Sequence, residues 1–142
     1  MDDYPQLRLE NQLCFPLYAC SKEIVRRYAP LLEPYRLTYT HYIVMMALWE
    51  HGEMGVSDLG KVLYLDSGTL TPVLKKLEAN GYVSRSRRAD DERCVTVSPT
   101  EEGMALREKL CSVPGKLGDC VALSSEEAAT LDRLLYKVLG GL

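Results

Sequence analysis

The stretch that decides the fold is Asp66–Ser98, DSGTLTPVLKKLEANGYVSRSRRADDERCVTVS. Its first half reads as a capped helix. Asp66 suits an N-cap, Leu70, Val73, Leu74 and Leu77 recur on one face, and Asn80-Gly81 is a stop signal. The second half alternates in two short runs, Tyr82–Ser86 and Cys94–Ser98, joined by the polar RRADDER, which predicts a β-hairpin. Just upstream, a turn at Gly52–Gly55 leaves Val56 to start a short strand, and Ser57 caps a brief helix, SDLGKVLYL. Short helix, tight turn, second helix and a hairpin with a basic tip is the order of a winged helix-turn-helix, here spanning residues 55–100.

Such an element approaches duplex DNA with the N-terminal end of its second helix, which must be small or polar. That end carries Ser67, Gly68, Thr69, Thr71 and Pro72, with Lys75 and Lys76 a turn later. Hydroxyls at a helix N-terminus suit phosphate oxygens and thymine methyls, and the lysines suit backbone phosphates. The hairpin adds Arg85, Arg87, Arg88 and Arg93, placed for an adjacent minor groove. An ordinary capped helix with a solvated turn would present the same residue types. Charge leans toward the first reading. Residues 61–100 hold 7 basic and 5 acidic side chains, against 5 and 8 in residues 1–60 and 5 and 7 in residues 101–142.

Outward from this segment the chain reads as helices. Leu17, Cys20, Ile24, Tyr28 and Leu31 make a stripe over residues 15–32, with Pro16 in the first turn and Pro30 and Pro34 marking the stop. Thr38 or Thr40 caps a second helix to about Glu50, and its YIVMMALWE is apolar nearly all round, as a core helix should be. Thr100 opens a helix to about Cys111, SVPGKLGD reads as a linker, and Ser124 with Glu127 forms a capping box for a final helix striped by Ala128, Leu131, Leu135 and Val138.

Composition excludes several classes. With 142 residues and a net charge of −3, the chain is about one domain and no polycation. No run approaches a membrane span, and the acidic start MDDYPQLRLE is not a signal peptide, so a cytoplasmic protein is expected. Five cysteines without CxxC, and two histidines off metal-ligand spacing, predict neither a disulfide framework nor a zinc site, and no cofactor is expected.

The run LYLDSGTLTPVLKKLEANGYVSRSRRADDERCVTVSPTEEG resembles the winged helix-turn-helix of the MarR family. Its Asp91-Glu92-Arg93 matches the family's wing signature, in which the aspartate holds the wing and the arginine enters the minor groove. Pro99, where the family usually has leucine, stands at a strand end that tolerates it. The resemblance implies a mainly α fold with a small hairpin wing, and a homodimer whose N- and C-terminal helices (residues 1–35 and 101–142) interleave around a single MarR-type domain of residues 1–142. It also implies double-stranded operator DNA as partner, and no enzyme activity.

At the N-terminus, LENQLCFPLYACSKEIVRRYAPLLEPYRLTYTHYIVMMALWEHG is similar to the organic hydroperoxide resistance regulators (OhrR), a thiol-based branch of MarR. By that match Cys14 senses the hydroperoxide. A helix N-terminus favours a thiolate, and Pro16 puts Cys14 near one, although Pro16 departs from the branch's usual small or aliphatic residue. The resemblance further implies that Tyr28 and Tyr39 hydrogen-bond the sensing sulfur across the dimer, with Phe15 and Tyr18 as further pocket residues. For Tyr18, Tyr35 and Tyr42 plain packing serves equally well. In two-cysteine members the resolving thiol follows a Val-Pro pair. Val113-Pro114 then nominates Cys120, with Cys111 second and a small-molecule thiol as the alternative to both, while Cys20 and Cys94 read as structural. Two rivals stand beside this reading: a MarR regulator released by a small acid or phenol without thiol chemistry, and a thiol peroxidase enzyme.

Overall fold

The computed structural model describes residues 3–87, 89–91 and 94–142. Two compact units make up the chain, Met1–Cys111 and Ser112–Leu142.

The first unit opens with two 3-10 turns, Pro5–Leu7 and Leu9–Asn11, and then runs α1 (Cys14–Leu32), α2 (Tyr39–His51), β1 (Met54–Gly55), α3 (Val56–Leu63), α4 (Ser67–Ala79), β2 (Val83–Arg87), β3 (Val95–Pro99) and α5 (Glu101–Leu110). Its sheet is antiparallel with strand order β1-β3-β2, Arg85 facing Val97 and Val83 facing Pro99. Helix α2 supplies the centre of the core: His41, Tyr42, Val44, Met45, Ala47 and Leu48 are buried on nearly every side of it. Leu32, Leu59, Leu70, Leu74, Leu77, Val97, Leu106 and Leu110 close around it. A fully buried leucine of this kind stabilises the fold by roughly 1.5–3 kcal/mol.

Three local expectations are corrected. Proline 30 does not end α1, which continues to Leu32. Proline forfeits one donor and crowds the preceding turn, yet its fixed φ is helical, and the Glu33 N–H still reaches the Ala29 carbonyl. The chain turns afterwards, in the 3-10 turn Glu33–Tyr35 and at Arg36, whose φ of 59° is left-handed. Val56 starts α3 rather than a strand, so Ser57 lies inside the helix and Gly55, extended and paired with Thr96, is the N-cap. The stretch SVPGKLGD is not a linker but carries α6 (Val113–Gly118), where Pro114 sits in the first turn and its missing N–H has no helical partner to lose.

The second unit holds α6 and α7 (Ser125–Gly140). Helix α7 begins with the expected capping box, the Glu127 N–H donating to Ser124 Oγ at 3.2 Å and the Ser124 N–H to Glu127 Oε1 at 3.0 Å. No residue of α7 is buried, and Leu131, Leu134, Leu135 and Val138 are all exposed.

Candidate functional site

The exposed face of α4 is set by how α3 turns into α4. Gly60 makes the turn possible: a Cβ there would meet the Leu65 carbonyl oxygen at 2.7 Å, and the Leu65 N–H bonds the Gly60 oxygen at 2.9 Å. Asp66 then caps α4, its Oδ1 accepting the Thr69 N–H at 2.7 Å. That backbone hydrogen bond holds the Asp66 carboxyl below its ordinary value of 3.8, so the cap is anionic at neutral pH. Helix α4 divides cleanly. Leu70, Leu74 and Leu77 are buried, while Ser67, Gly68, Thr69, Thr71, Pro72, Lys75 and Lys76 are exposed. The Thr71 hydroxyl donates back to the Ser67 carbonyl at 2.8 Å, which leaves its methyl and oxygen lone pairs for a ligand.

Asn80 and Gly81 (φ 83°) end the helix as expected and start the wing. Arg87 and Asp91 are exposed on it, whereas Arg88 and Arg93 lie outside the described residues. Arg85 is tied back to α4. Its Nη2 donates to Glu78 Oε1 at 3.0 Å and its backbone N–H to Glu78 Oε2 at 3.2 Å. Lys76, expected to face phosphate, lies elsewhere. It lines an open groove of about 820 Å³ with Lys22, Arg26, Arg36, His41 and the apolar Val25.

The thiols fall in distinct settings. Cys14 is the first residue of α1 and exposed, with Pro16 two residues into the first turn. Cys20 is exposed rather than core-facing, because α1 buries only Leu32 within the chain. Cys94 is half-buried, with its Sγ 3.6 Å from Asp91 Oδ2. Cys111 and Cys120 are both exposed; their thiols donate to the Glu108 carbonyl at 3.0 Å and the Lys116 carbonyl at 3.5 Å.

Tyr28 and Tyr39 do come together, with ring centroids 4.8 Å apart, and Tyr42 packs against both at 5.6 and 6.3 Å. Burial pushes all three phenols up from their ordinary value of 10.0, so they remain protonated donors at neutral pH. Cys14 and Tyr28 share a helix but stand about 21 Å apart along it, at 1.5 Å per residue. Phe15 and Tyr18 lie beside Cys14 and are exposed. Tyr42 is buried packing, while the Tyr35 carbonyl accepts from the Tyr82 hydroxyl at 3.1 Å.

Sequence reasoning missed three residues that hold this frame. Glu78 was an anion in a basic segment, a signal that could have flagged it as an internal partner. Asn80 was read only as a helix stop, yet its Nδ2 donates to the Arg36 carbonyl at 3.3 Å. His41, read as off metal spacing, accepts the Thr38 N–H at Nδ1, 2.9 Å away, and completes the capping box of α2.

A capped recognition-type helix beside a three-stranded wing defines the class, a winged helix-turn-helix regulator. Residues 26–110 match the family model described as "Transcriptional regulator SarA/Rot". The organic hydroperoxide resistance transcriptional regulator of Bacillus subtilis is 44% identical over 136 residues, covering 96% of this chain and 92% of that protein. SarZ of Staphylococcus aureus is 44% identical over 123 residues, 87% of this chain and 83% of its own. Among solved structures, reduced AbfR bound to DNA superposes with a TM-score of 0.83 at 31% identity, covering 96% of this chain and 93% of that one. An Escherichia coli MarR variant complexed with operator DNA gives 0.83 at 28%, covering 97% and 99%. The chain belongs to the MarR family of transcriptional regulators, within its OhrR branch. Its relatives are regulators, which removes the peroxidase alternative. Among the described residues no helix is long and apolar enough to cross a membrane.

Proposed function

We propose that the protein is a thiol-switched repressor that holds operator DNA as a reduced homodimer and lets go when an organic hydroperoxide oxidises Cys14. In this reading Ser67, Gly68, Thr69, Thr71 and Pro72 enter the major groove. Lys75 meets phosphate, and the wing, with Arg87, Asp91 and the undescribed Arg88 and Arg93, reaches the neighbouring minor groove. The observation that carries the sensing half is the separation on α1. Cys14 opens the helix as an exposed thiol, whereas the protonated phenol of Tyr28, which packs against Tyr39 of α2, stands about 21 Å further along. A thiol–phenol site therefore needs a second copy of the chain, laid so that one α1 start meets the other's tyrosines. Exposed apolar side chains on α1 (Phe15, Leu17, Ile24, Val25) and α7 (Leu131, Leu135) supply the surface for that pairing.

The chemistry runs in two steps. The Cys14 thiolate attacks the distal oxygen of the hydroperoxide, the O–O bond breaks, and the alkoxide leaves and takes a proton as the alcohol. The sulfur becomes a sulfenic acid, for which Tyr28 and Tyr39 offer hydrogen bonds. The Cys120 thiol of the partner subunit then attacks that sulfur, a disulfide forms and water leaves. Two recognition helices must match half-sites about one DNA turn apart, so a modest rotation loses affinity.

The test is release of labelled operator duplex on treatment with cumene hydroperoxide. Wild type should release and Cys14→Ser should not; release by Cys14→Ser sinks the reading. Non-reducing mass mapping should return a Cys14–Cys120 link between chains, and a Cys14–Cys111 link would reassign the resolving thiol. The basic groove that contains Lys76 favours one second reading, release by a small aromatic acid. That reading predicts DNA release by such an acid under full reduction, lost in Arg26→Ala.

A further inference from the structure

The junction between the wing and α4 assigns a role to Arg85 that its position in a basic hairpin does not suggest. Strand β2 is one edge of the sheet, because the order β1-β3-β2 leaves its outer side without a strand among the described residues. An outward N–H on such an edge needs water or a side chain. The Arg85 N–H finds Glu78 Oε2 at 3.2 Å, and the other oxygen of the same carboxylate takes the Arg85 guanidinium at 3.0 Å. Glu78 stands in the last turn of α4. One carboxylate thus ties both the backbone and the side chain of β2 to the recognition helix. The pair is partly shielded, with side-chain exposures of 26% for Arg85 and 41% for Glu78. Arg85 Nε is itself buried without a partner, so the guanidinium is drawn into the junction instead of standing in solvent. A side chain held in this way is poorly placed to reach out to a phosphate.

We infer that Arg85 is a positioning residue which, with Glu78, fixes the wing against α4 so that both approach DNA as one body. This rests on the reading that α4 and the wing face the duplex. The rival role, a direct phosphate contact, makes a prediction of opposite sign for the neighbour. Glu78 is an anion on the DNA-facing half, and removing an anion near phosphates should strengthen binding or leave it unchanged. If Glu78 is instead half of a brace, removing it weakens binding, because only the aligned fraction of molecules can dock.

The experiment measures affinity against salt for wild type, Glu78→Ala, Arg85→Ala, the double variant and Lys75→Ala. The probe is a fluorescently labelled duplex enriched on the wild-type protein from a random pool. Thermal melts confirm that each variant is folded, and Glu78→Gln, which keeps an acceptor for the Arg85 N–H, stands in if Glu78→Ala is not. Each single change at the brace should weaken binding about five- to tenfold with the salt slope unchanged, and the double variant should be no weaker than the worse single one. Glu78→Gln should fall between Glu78→Ala and wild type. Wild-type or tighter binding by Glu78→Ala, or by Glu78→Gln where it stands in, overturns the brace. So does a salt slope in Arg85→Ala lower by about one. Lys75→Ala separates the two failures: its slope should drop by about one, and an unchanged Lys75→Ala sinks the DNA-face reading itself.

Discussion

The two ends of the first unit are built by opposite means. Around α4 the chain satisfies itself. Asp66 caps the helix, Glu78 ties down the wing, Asn80 and Tyr82 bond the carbonyls of Arg36 and Tyr35, and Leu70, Leu74 and Leu77 are buried. Along α1 almost nothing is satisfied within the chain, where one residue of nineteen is buried and the apolar side chains face outward. The α4 end is complete in one copy, while the Cys14 thiol and the Tyr28 phenol stand at different stations of α1, and Tyr39 joins Tyr28 from α2. The proposed switch draws on that difference, since a change in how two copies pair would move two self-contained α4 ends.

The comparison breaks most visibly at the unsatisfied end. Replacing Leu131 and Leu135 of α7 by aspartate should leave the chain helical, because both are exposed within it. It should abolish the proposed homodimer and lower operator affinity by at least about a hundredfold, since a monomer would engage one half-site without avidity. Light scattering beside fluorescence anisotropy reads both effects, and a dimer that survives the double change would reject α7 as a pairing surface.

The same contrast predicts where stability resides. Leu74→Ala, at a site 1% exposed, should cost about 2–5 kcal/mol in a denaturant melt. Ile24→Ala, 40% exposed on α1, should cost under about 0.5 kcal/mol when measured in the monomeric background. Equal costs would mean that α1 is held by its own chain after all. Thr100 tests the joint between α4 and α5 at a smaller scale: its Oγ1 donates to the Gly81 carbonyl at 2.6 Å and accepts the Gly103 N–H at 3.1 Å. Thr100→Ala should cost about 1 kcal/mol, the usual loss for a helix cap.

Legibility followed another divide, between short-range rules and contacts that cross elements. Helix α4, its cap, its stop and the hairpin were readable from residues 66–98 because each rests on a short-range rule of capping, period or alternation. Cys14 at the start of α1 was readable for a similar reason, with Pro16 confined to a first turn. The interactions that crossed elements were not. Arg85 read as a free cation, because nothing local says that an edge strand will fold its N–H onto a carboxylate seven residues back. Cys20 read as core, because a helical stripe shows which side is apolar and not what covers it. The stretch SVPGKLGD read as a linker on its glycines and proline, though Pro114 sits where a helix tolerates proline best.

His41 gives the finest test of how self-contained the reading half is. Its Nδ1 must be unprotonated to accept the Thr38 N–H at 2.9 Å, and the imidazole is buried. Burial, and then the charge of Lys76, lower its pKa from the ordinary 6.5. With the folded value depressed, the unfolded chain takes up a proton first as pH falls through about 6.5, so the stability held above that pH is lost on acidification. Glutamine at the same position keeps a capping-box acceptor and does not titrate. Wild type should therefore lose melting temperature more steeply than His41→Gln between about pH 7 and about pH 5, with the two converging above that range. Parallel curves would place the acid sensitivity elsewhere and leave His41 as a cap alone.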